Sequence, residues 1–409
     1  MKQKPKHIPM NQFPVINGEL HIGGIPITQL AKKIGQTPFY AYDRLVIEKQ
    51  VSLLRNSIPK EIHLHYAIKA NPMPELVSYM TKLVDGFDLA SAGELKIALN
   101  TNMPRQHISF AGPGKTDNEL QQAIKADIVI NMESENEMHR ISAIADELGV
   151  TPKVAIRVNP DFELKTSGMK MSGGPKPFGV DAERVPQMMK QLENLNLDFY
   201  GFHIFSGSQN LKHESIIEAH NKTFELAIHL SEQAPKSPKL LNIGGGLGIP
   251  YFPGDNKIDL QAIGNNLNDQ LPDIKQKLPQ AEIVMELGRF LVGESGVYVC
   301  KIIDKKISRG ETFLIANGGL HHHLAASGNF GQIMRKNYPV MIGNKTDGDL
   351  EMVNIVGPLC TPLDIIANQM ELPVAEVGDF IVVFQSGAYG LTASPVNFLS
   401  HPKAAEIFL

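Results

Sequence analysis

The sequence predicts an α/β protein, a (β/α)₈ barrel followed by an all-β domain. Three observations carry that expectation. Short apolar runs recur near residues 63–68, 84–89, 107–111, 127–131, 153–158, 198–205, 239–243 and 281–286. Helix-like segments fall between them, at roughly 73–82, 93–100, 116–125, 134–148, 181–193, 213–233 and 258–277. Beyond residue 290 good helices stop while apolar runs continue. Strands alternating with helices argue for parallel pairing and right-handed crossovers. Eight of them over about 225 residues is the count of a closed barrel, with a doubly wound open sheet as the alternative on pattern alone.

Taken in order, residues 1–12 read as a loose arm. Pro14-Val15-Ile16, the turn Asn17-Gly18 and Glu19-Leu20-His21-Ile22 read as a hairpin. A short helix over 28–35 ends at glycine, and Pro38-Phe39-Tyr40-Ala41-Tyr42 is a strand. Asp43 is placed to cap a helix near 44–56. After the barrel runs, Val297–Ile303, Thr312–Ala316, Glu351–Val356 and Asp379–Phe384 read as strands of an all-β domain. The hairpin has no place in the barrel count and is expected to join that sheet. The expected division is therefore 1–37 with the β domain, 38–290 as barrel and 291–409 as the C-terminal β domain.

Composition narrows the function classes. At 409 residues the chain exceeds the usual size of one domain. With 43% hydrophobic and 20% charged residues it is ordinary soluble material, and a net charge of −4 offers no footprint for nucleic acid or an anionic membrane. Two cysteines, Cys300 and Cys360, make no disulfide framework and suit a reducing compartment. The basic start, Met1 to Lys6, is followed by no signal-peptide core. No apolar run reaches the roughly eighteen residues of a membrane span. A cytoplasmic protein is expected.

The active site of such a barrel lies beyond the C-terminal ends of its strands. Strand one there ends at Lys69, strand two at Asp88 and strand five at Arg157. Strand six runs into Gly207-Ser208-Gln209, strand seven into Gly244-Gly245-Gly246, and strand eight ends at Glu286 with Arg289 beyond. A lysine closing a buried strand is either a snorkelling surface group or an amine whose pKa burial lowers, as a Schiff-base former needs. The glycine loop is either a tight turn or a ring of backbone N–H groups around an anion. No Gly-x-x-x-x-Gly-Lys-Ser/Thr loop is present, which disfavours a P-loop nucleotide. A lysine facing a phosphate cradle suggests pyridoxal 5'-phosphate, with Glu286 keeping the pyridine nitrogen protonated.

Tyr66-Ala67-Ile68-Lys69-Ala70-Asn71, Gly244-Gly245-Gly246, Glu286-Leu287-Gly288-Arg289, Gly357-Pro358-Leu359-Cys360 and Gly387-Ala388-Tyr389-Gly390 occur in this order. From about Pro38 to Pro395 the chain resembles the fold-type III pyridoxal phosphate decarboxylases of the diaminopimelate and ornithine group. The resemblance implies an alanine racemase-like barrel, a β-sandwich domain and a homodimer with shared active sites. It implies that Lys69 carries the cofactor as a Schiff base, and that Asp88, Arg157, His203 and Phe205 line it. Ser208, Gly245, Gly246, Gly288, Arg289 and Tyr389 would surround the phosphate. Cys360 of the partner would protonate the product carbon after CO2 leaves a quinonoid intermediate; the plain alternative is a buried core thiol, the role expected of Cys300. Glu286 favours decarboxylase over racemase, because racemases of this barrel place an arginine at that position. A nonenzymatic homologue that only binds is the remaining reading.

The match breaks where the family reads its substrate. The histidine that stacks on the ring, two residues before Gly207-Ser208, is replaced by Phe205, with His203 nearby on the same strand. The Arg-Pro-Ala-Leu-Tyr segment of diaminopimelate decarboxylases becomes Ala325-Ala326-Ser327-Gly328-Asn329, and Cys-Glu-Ser becomes Cys360-Thr361-Pro362. A pocket without polar partners does not bury a distal carboxylate and ammonium. Diaminopimelate is disfavoured, and lysine or ornithine would depend on Asp364. Substrate contacts are expected from Arg289, Tyr389, Asp364, His322 and His323.

Gly319-Leu320-His321-His322-His323-Leu324-Ala325 onward resembles a subgroup found with exosortase-A gene clusters, and is similar to a decarboxylase acting on a carrier-bound glutamyl group. That implies a tethered substrate and an acyl carrier protein as partner. The histidines are expected to diverge along an extended loop and to hold no metal. Lys165–Pro177, rich in Gly, Pro and Lys, is either a mobile solvated loop or a flap that meets an acidic carrier.

Overall fold

We analysed a computed structural model, which describes residues 5–162, 169–170 and 172–409. Of the Lys165–Pro177 loop, residues 165–168 and 171 lie outside the described residues. The chain divides into two compact units, one of Val51–Ile249 and Lys257–Phe290, the other of the chain up to Gln50, Pro250–Asn256 and Leu291–Leu409.

The first unit is the barrel. Its strands are β1 (Ile62–Ala67), β2 (Gly86–Leu89), β3 (Ile108–Phe110), β4 (Val129–Met132), β5 (Lys153–Asn159), β6 (Asp198–Ile204), β7 (Leu240–Asn242) and β8 (Glu282–Leu287). Each pairs in parallel with the next, and β8 returns to β1 with Glu286 opposite His65. The ring is thereby closed, with the short strand Val180–Asp181 added beside β5.

The crossover helices begin where the sequence supplies caps. Ser91, Ser134 and Asp259 each accept a hydrogen bond from the backbone N–H three residues on, and Thr116 with Glu119 forms a full capping box. Each such cap contributes about 1 kcal/mol. Val129, Ala155, Leu240 and Val284 form one buried cluster from strands that are not all neighbours, so they fill the barrel interior.

The second unit is a mostly antiparallel sheet built on the long strand Gly296–Ser308. Two expectations are corrected here. Strand Phe39–Tyr42, assigned to the barrel part 38–290, pairs antiparallel with Gly296–Ser308 and parallel with Ala405–Phe408. All four of its residues are buried, which demands a neighbour on both edges, and the eight-strand barrel is complete without it. The N-terminal hairpin extends to Ile25–Pro26 as a three-stranded sheet of its own instead of joining the large sheet. It contributes through packing: Leu20 and Ile22, with Phe13, share a core with Val297, Val299, Val382 and Phe384. Asp43 caps its helix as expected, accepting from Leu45 N–H at 2.9 Å.

Candidate active site

Strand β1 stops at Ala67, and Ile68–Ala70 is a single 3₁₀ turn that carries Lys69 off the strand end. The lysine is therefore not buried; its side chain is 43% exposed. What holds it is charge: Nζ lies 3.3 Å from Glu286 Oε1 and 5.7 Å from the centre of the Phe205 ring. The other Glu286 oxygen is 3.2 Å from His203 Nε2. Burial alone would raise the Glu286 carboxyl, but the Lys69 ammonium, the His203 contact and the Arg157 charge hold it well below the usual carboxylate range.

These groups line one cavity of about 230 Å³. Asp88, Arg157, His203 and Phe205 are in its wall with Lys69 and Glu286, so six predicted residues meet at one place. Asp88 accepts a hydrogen bond from Ser109 Oγ, and Arg157 is covered by the Phe178 ring at 5.1 Å.

Two residues of this region escaped the sequence reading. Glu133, directly after β4, accepts from Arg157 Nη1 at 2.7 Å, Gly112 N–H at 2.6 Å and Gly179 N–H at 2.8 Å. It ties the exits of β3, β4 and β5 together. Burial opposes its charge, while Arg157 and Lys115 more than offset that and lower its pKa. Glu94 accepts from Ala90 N–H at 2.7 Å, and burial raises its carboxyl. The sequence carries a signal for Glu133, since it follows β4 directly, at the same strand-end position as the other rim residues.

The glycine loop after β7 leaves no room for side chains. A Cβ at Gly245 would collide with the Glu286 carbonyl, and one at Gly246, whose φ is +85°, would come within 2.6 Å of Gly207 O. Ser208 lies in the two-residue strand Gly207–Ser208, which pairs with Met169–Lys170. Gly288 packs against Ala67 and Ala70, and Arg289 opens the short helix Arg289–Val292.

The remaining predicted residues belong to the sheet unit. Cys360 is exposed and Cys300 buried. Tyr389 is half-buried at a φ of +53°. Asp364 is 2% exposed, and its two oxygens accept from Leu320 N–H at 2.6 Å and Leu359 N–H at 2.9 Å. Its carboxylate thus braces the two loops that carry Leu320 and Leu359.

The histidine segment winds through consecutive turns, with the N–H groups of both His322 and His323 donating to Gly319 O, and is not an extended loop. His322 and His323 are buried against Pro402 O at 2.8 Å and Ser386 Oγ at 2.9 Å. Burial pushes His323 down to about 3. Both rings are packed inside this unit. Among the described residues no cluster of three ligating side chains is arranged to hold a metal ion.

Residues 44–293 match the family described as pyridoxal-dependent decarboxylase, pyridoxal binding domain. The chain belongs to this family. It is 38% identical over 388 residues to the L-glutamyl-[BtrI acyl-carrier protein] decarboxylase of Niallia circulans, covering 93% of this chain and 90% of that protein. It is 32% identical over 396 residues to the diaminopimelate decarboxylase of Aquifex aeolicus, covering 96% and 91%. The crystal structure of the M. jannaschii diaminopimelate decarboxylase with L-lysine superposes with a TM-score of 0.89 at 27% identity, covering 98% of this chain and 94% of that one.

Pyridoxal phosphate is the cofactor of this decarboxylase family, and the residues present fit it: a primary amine, a buried anionic carboxylate and a side-chain-free glycine loop at one barrel end. Among the described residues no helix is long and apolar enough to cross a membrane.

Proposed function

We propose that this decarboxylase removes the α-carboxylate of an amino-acyl substrate whose distal end is tethered to a carrier, and that it works as a homodimer. The observation that carries the substrate reading is the absence of charge readers where the family has them. Ala325 and Ala326 are buried apolar side chains, and Asp364 spends both oxygens on backbone N–H groups. A free distal ammonium or carboxylate would be left there without a partner. The higher identity to a carrier-glutamyl decarboxylase than to a diaminopimelate decarboxylase supports the same reading.

Bound pyridoxal phosphate supplies an aldehyde for the substrate amine and a ring that draws off the electrons left when CO2 departs. Lys69 supplies the amine that holds the aldehyde carbon until substrate arrives. Glu286, kept anionic by its neighbours, holds a proton at the pyridine nitrogen, and His203 fixes its orientation. The Gly244–Gly246 backbone and Ser208 would hold the phosphate, with Arg289 and Tyr389 adding to that site. Phe205, in the cavity wall, would shield the bound ring from water. Cys360 Sγ, from a second copy of the chain, gives the proton to Cα.

Carbon dioxide release from a panel tests the substrate: a carrier-bound glutamyl thioester, free glutamate, diaminopimelate, lysine, ornithine and arginine. The tethered substrate is expected to turn over fastest. Efficient decarboxylation of diaminopimelate would contradict the reading.

A further inference from the structure

The barrel interior is not uniformly apolar. Around β4, β5, β7 and β8 it is filled by Val129, Ala155, Leu240 and Val284. On the β1–β3 side it carries His65, Asp88 and Ser109, each no more than 5% exposed. His65 Nδ1 lies at ion-pair distance, 3.4 Å, from Asp88 Oδ2, and neither atom has a hydrogen-bond partner among the described residues. Ser109 Oγ donates to the other Asp88 oxygen and itself receives Asn131 Nδ2 at 3.1 Å.

The backbone makes room for this imidazole. Gly86 is opposite His65 in the β1–β2 register, and any side chain there would collide with the ring. The far side of His65 faces a small cavity of about 40 Å³, lined also by His107, Lys239 and Glu282. Those three sit at or just before the first residues of β3, β7 and β8, so this cavity is at the barrel end opposite Lys69. At roughly 10–15 Å³ per water it has room for about three molecules beside the ring.

Asp88 thus stands in the wall of the cofactor cavity with its rear held by two side chains. A buried polar group destabilises the fold when its partner is missing, and an apolar replacement of the whole set would avoid that cost. Three such groups in a barrel core need a reason other than stability.

We propose that His65 is a positioning residue for the reaction: with Ser109 it fixes the orientation in which Asp88 meets the bound cofactor. The inference rests on the cofactor contact of Asp88 and on no particular substrate. Gly86 leaves the space that the His65 ring fills, and the ring in turn sets Nδ1 beside Asp88.

The test uses His65→Phe, which keeps a ring but loses both nitrogens, and His65→Asn, which restores a donor at the Nδ1 position. Measured are the melting temperature, the dissociation constant of pyridoxal phosphate from the apoprotein, the visible band of the holoenzyme, and kcat with KM. Loss of a supporting contact of this kind typically costs about 10–100-fold. His65→Phe is expected to weaken cofactor binding and lower kcat by about tenfold, with KM little changed and the visible band displaced; His65→Asn should recover most of each. A folded His65→Phe protein with wild-type band, affinity and kcat would overturn the proposal.

Should His65→Phe not fold, Ser109→Ala decides, because it frees the other Asp88 oxygen without altering the ring. A displaced band supports the proposal and an unchanged one overturns it. Wild-type protein that takes up no pyridoxal phosphate would overturn the cofactor contact itself, and this inference with it.

Discussion

The Lys69 ammonium and the Glu286 carboxylate stand 3.3 Å apart although 217 positions separate them in the chain. They meet because β8 closes the barrel against β1, with Leu287 opposite Tyr66 and Glu286 opposite His65. One amine and one buried anion at adjoining strand ends are what an aldehyde-bearing pyridine needs, and closure of the ring supplies both.

Replacing Glu286 by Gln keeps the shape of that contact and removes its charge. The pyridine nitrogen then loses the anion that stabilises its proton. CO2 release should fall by about 100-fold or more, since mutations at such electrostatic contacts cost that much in other enzymes. Pyridoxal phosphate should still bind. Wild-type turnover in Glu286→Gln would remove its assigned role.

Glu133 bonds Arg157 and two loop N–H groups from a position 3% exposed. Glu133→Ala would leave the Arg157 guanidinium buried without its counter-ion. A loss of about 3–5 kcal/mol is expected, measured by denaturant unfolding, together with weaker cofactor binding. Stability within 0.5 kcal/mol of wild type would show that the rim does not depend on it.

Acid should destabilise the fold well before its carboxylates titrate. Burial lowers His323 to about 3 and His220 to about 4, against an ordinary value near 6.5. In the unfolded chain both take protons below pH 6.5, while the folded chain refuses them until the lower values are reached. Stability is therefore full above 6.5 and falls as pH drops toward 4, by about 2 kcal/mol for each histidine at pH 5. Denaturant midpoints at pH 7 and 5 measure this, and equal midpoints would contradict it. Below that range Glu133 and Glu286, whose carboxyls are depressed in the fold, lose their contribution as they protonate.

Cys360 is exposed in the sheet unit. Cys360→Ala should bind pyridoxal phosphate normally and release product more slowly, with a larger share of turnovers ending in transamination of the cofactor. Product analysis by mass spectrometry distinguishes the two fates, and an unchanged product ratio at full rate would exclude the proton donor role.

Much of this was legible in the chain. The alternation of apolar runs and helical segments gave eight strands, and reading their C-terminal ends assembled Lys69, Asp88, Arg157, His203, Phe205 and Glu286 around one cavity. Long-range pairing was not legible: nothing local to Phe39–Tyr42 says that its partners are Gly296–Ser308 and Ala405–Phe408. Nor was the fate of Asp364 or of the histidine run, because burial against distant loops decides whether a polar side chain faces ligand or backbone. The strand pattern left open whether Lys69 is buried or exposed: a 3₁₀ turn exposes it, and its anion partner holds it.

Borohydride reduction of the holoenzyme, followed by peptide mass mapping, tests the central claim most directly. Reduction fixes pyridoxal phosphate to whichever amine holds its aldehyde. The account predicts a single modified peptide carrying the adduct on Lys69, and none in Lys69→Ala. An adduct on another lysine, or none after saturation with the cofactor, would contradict it.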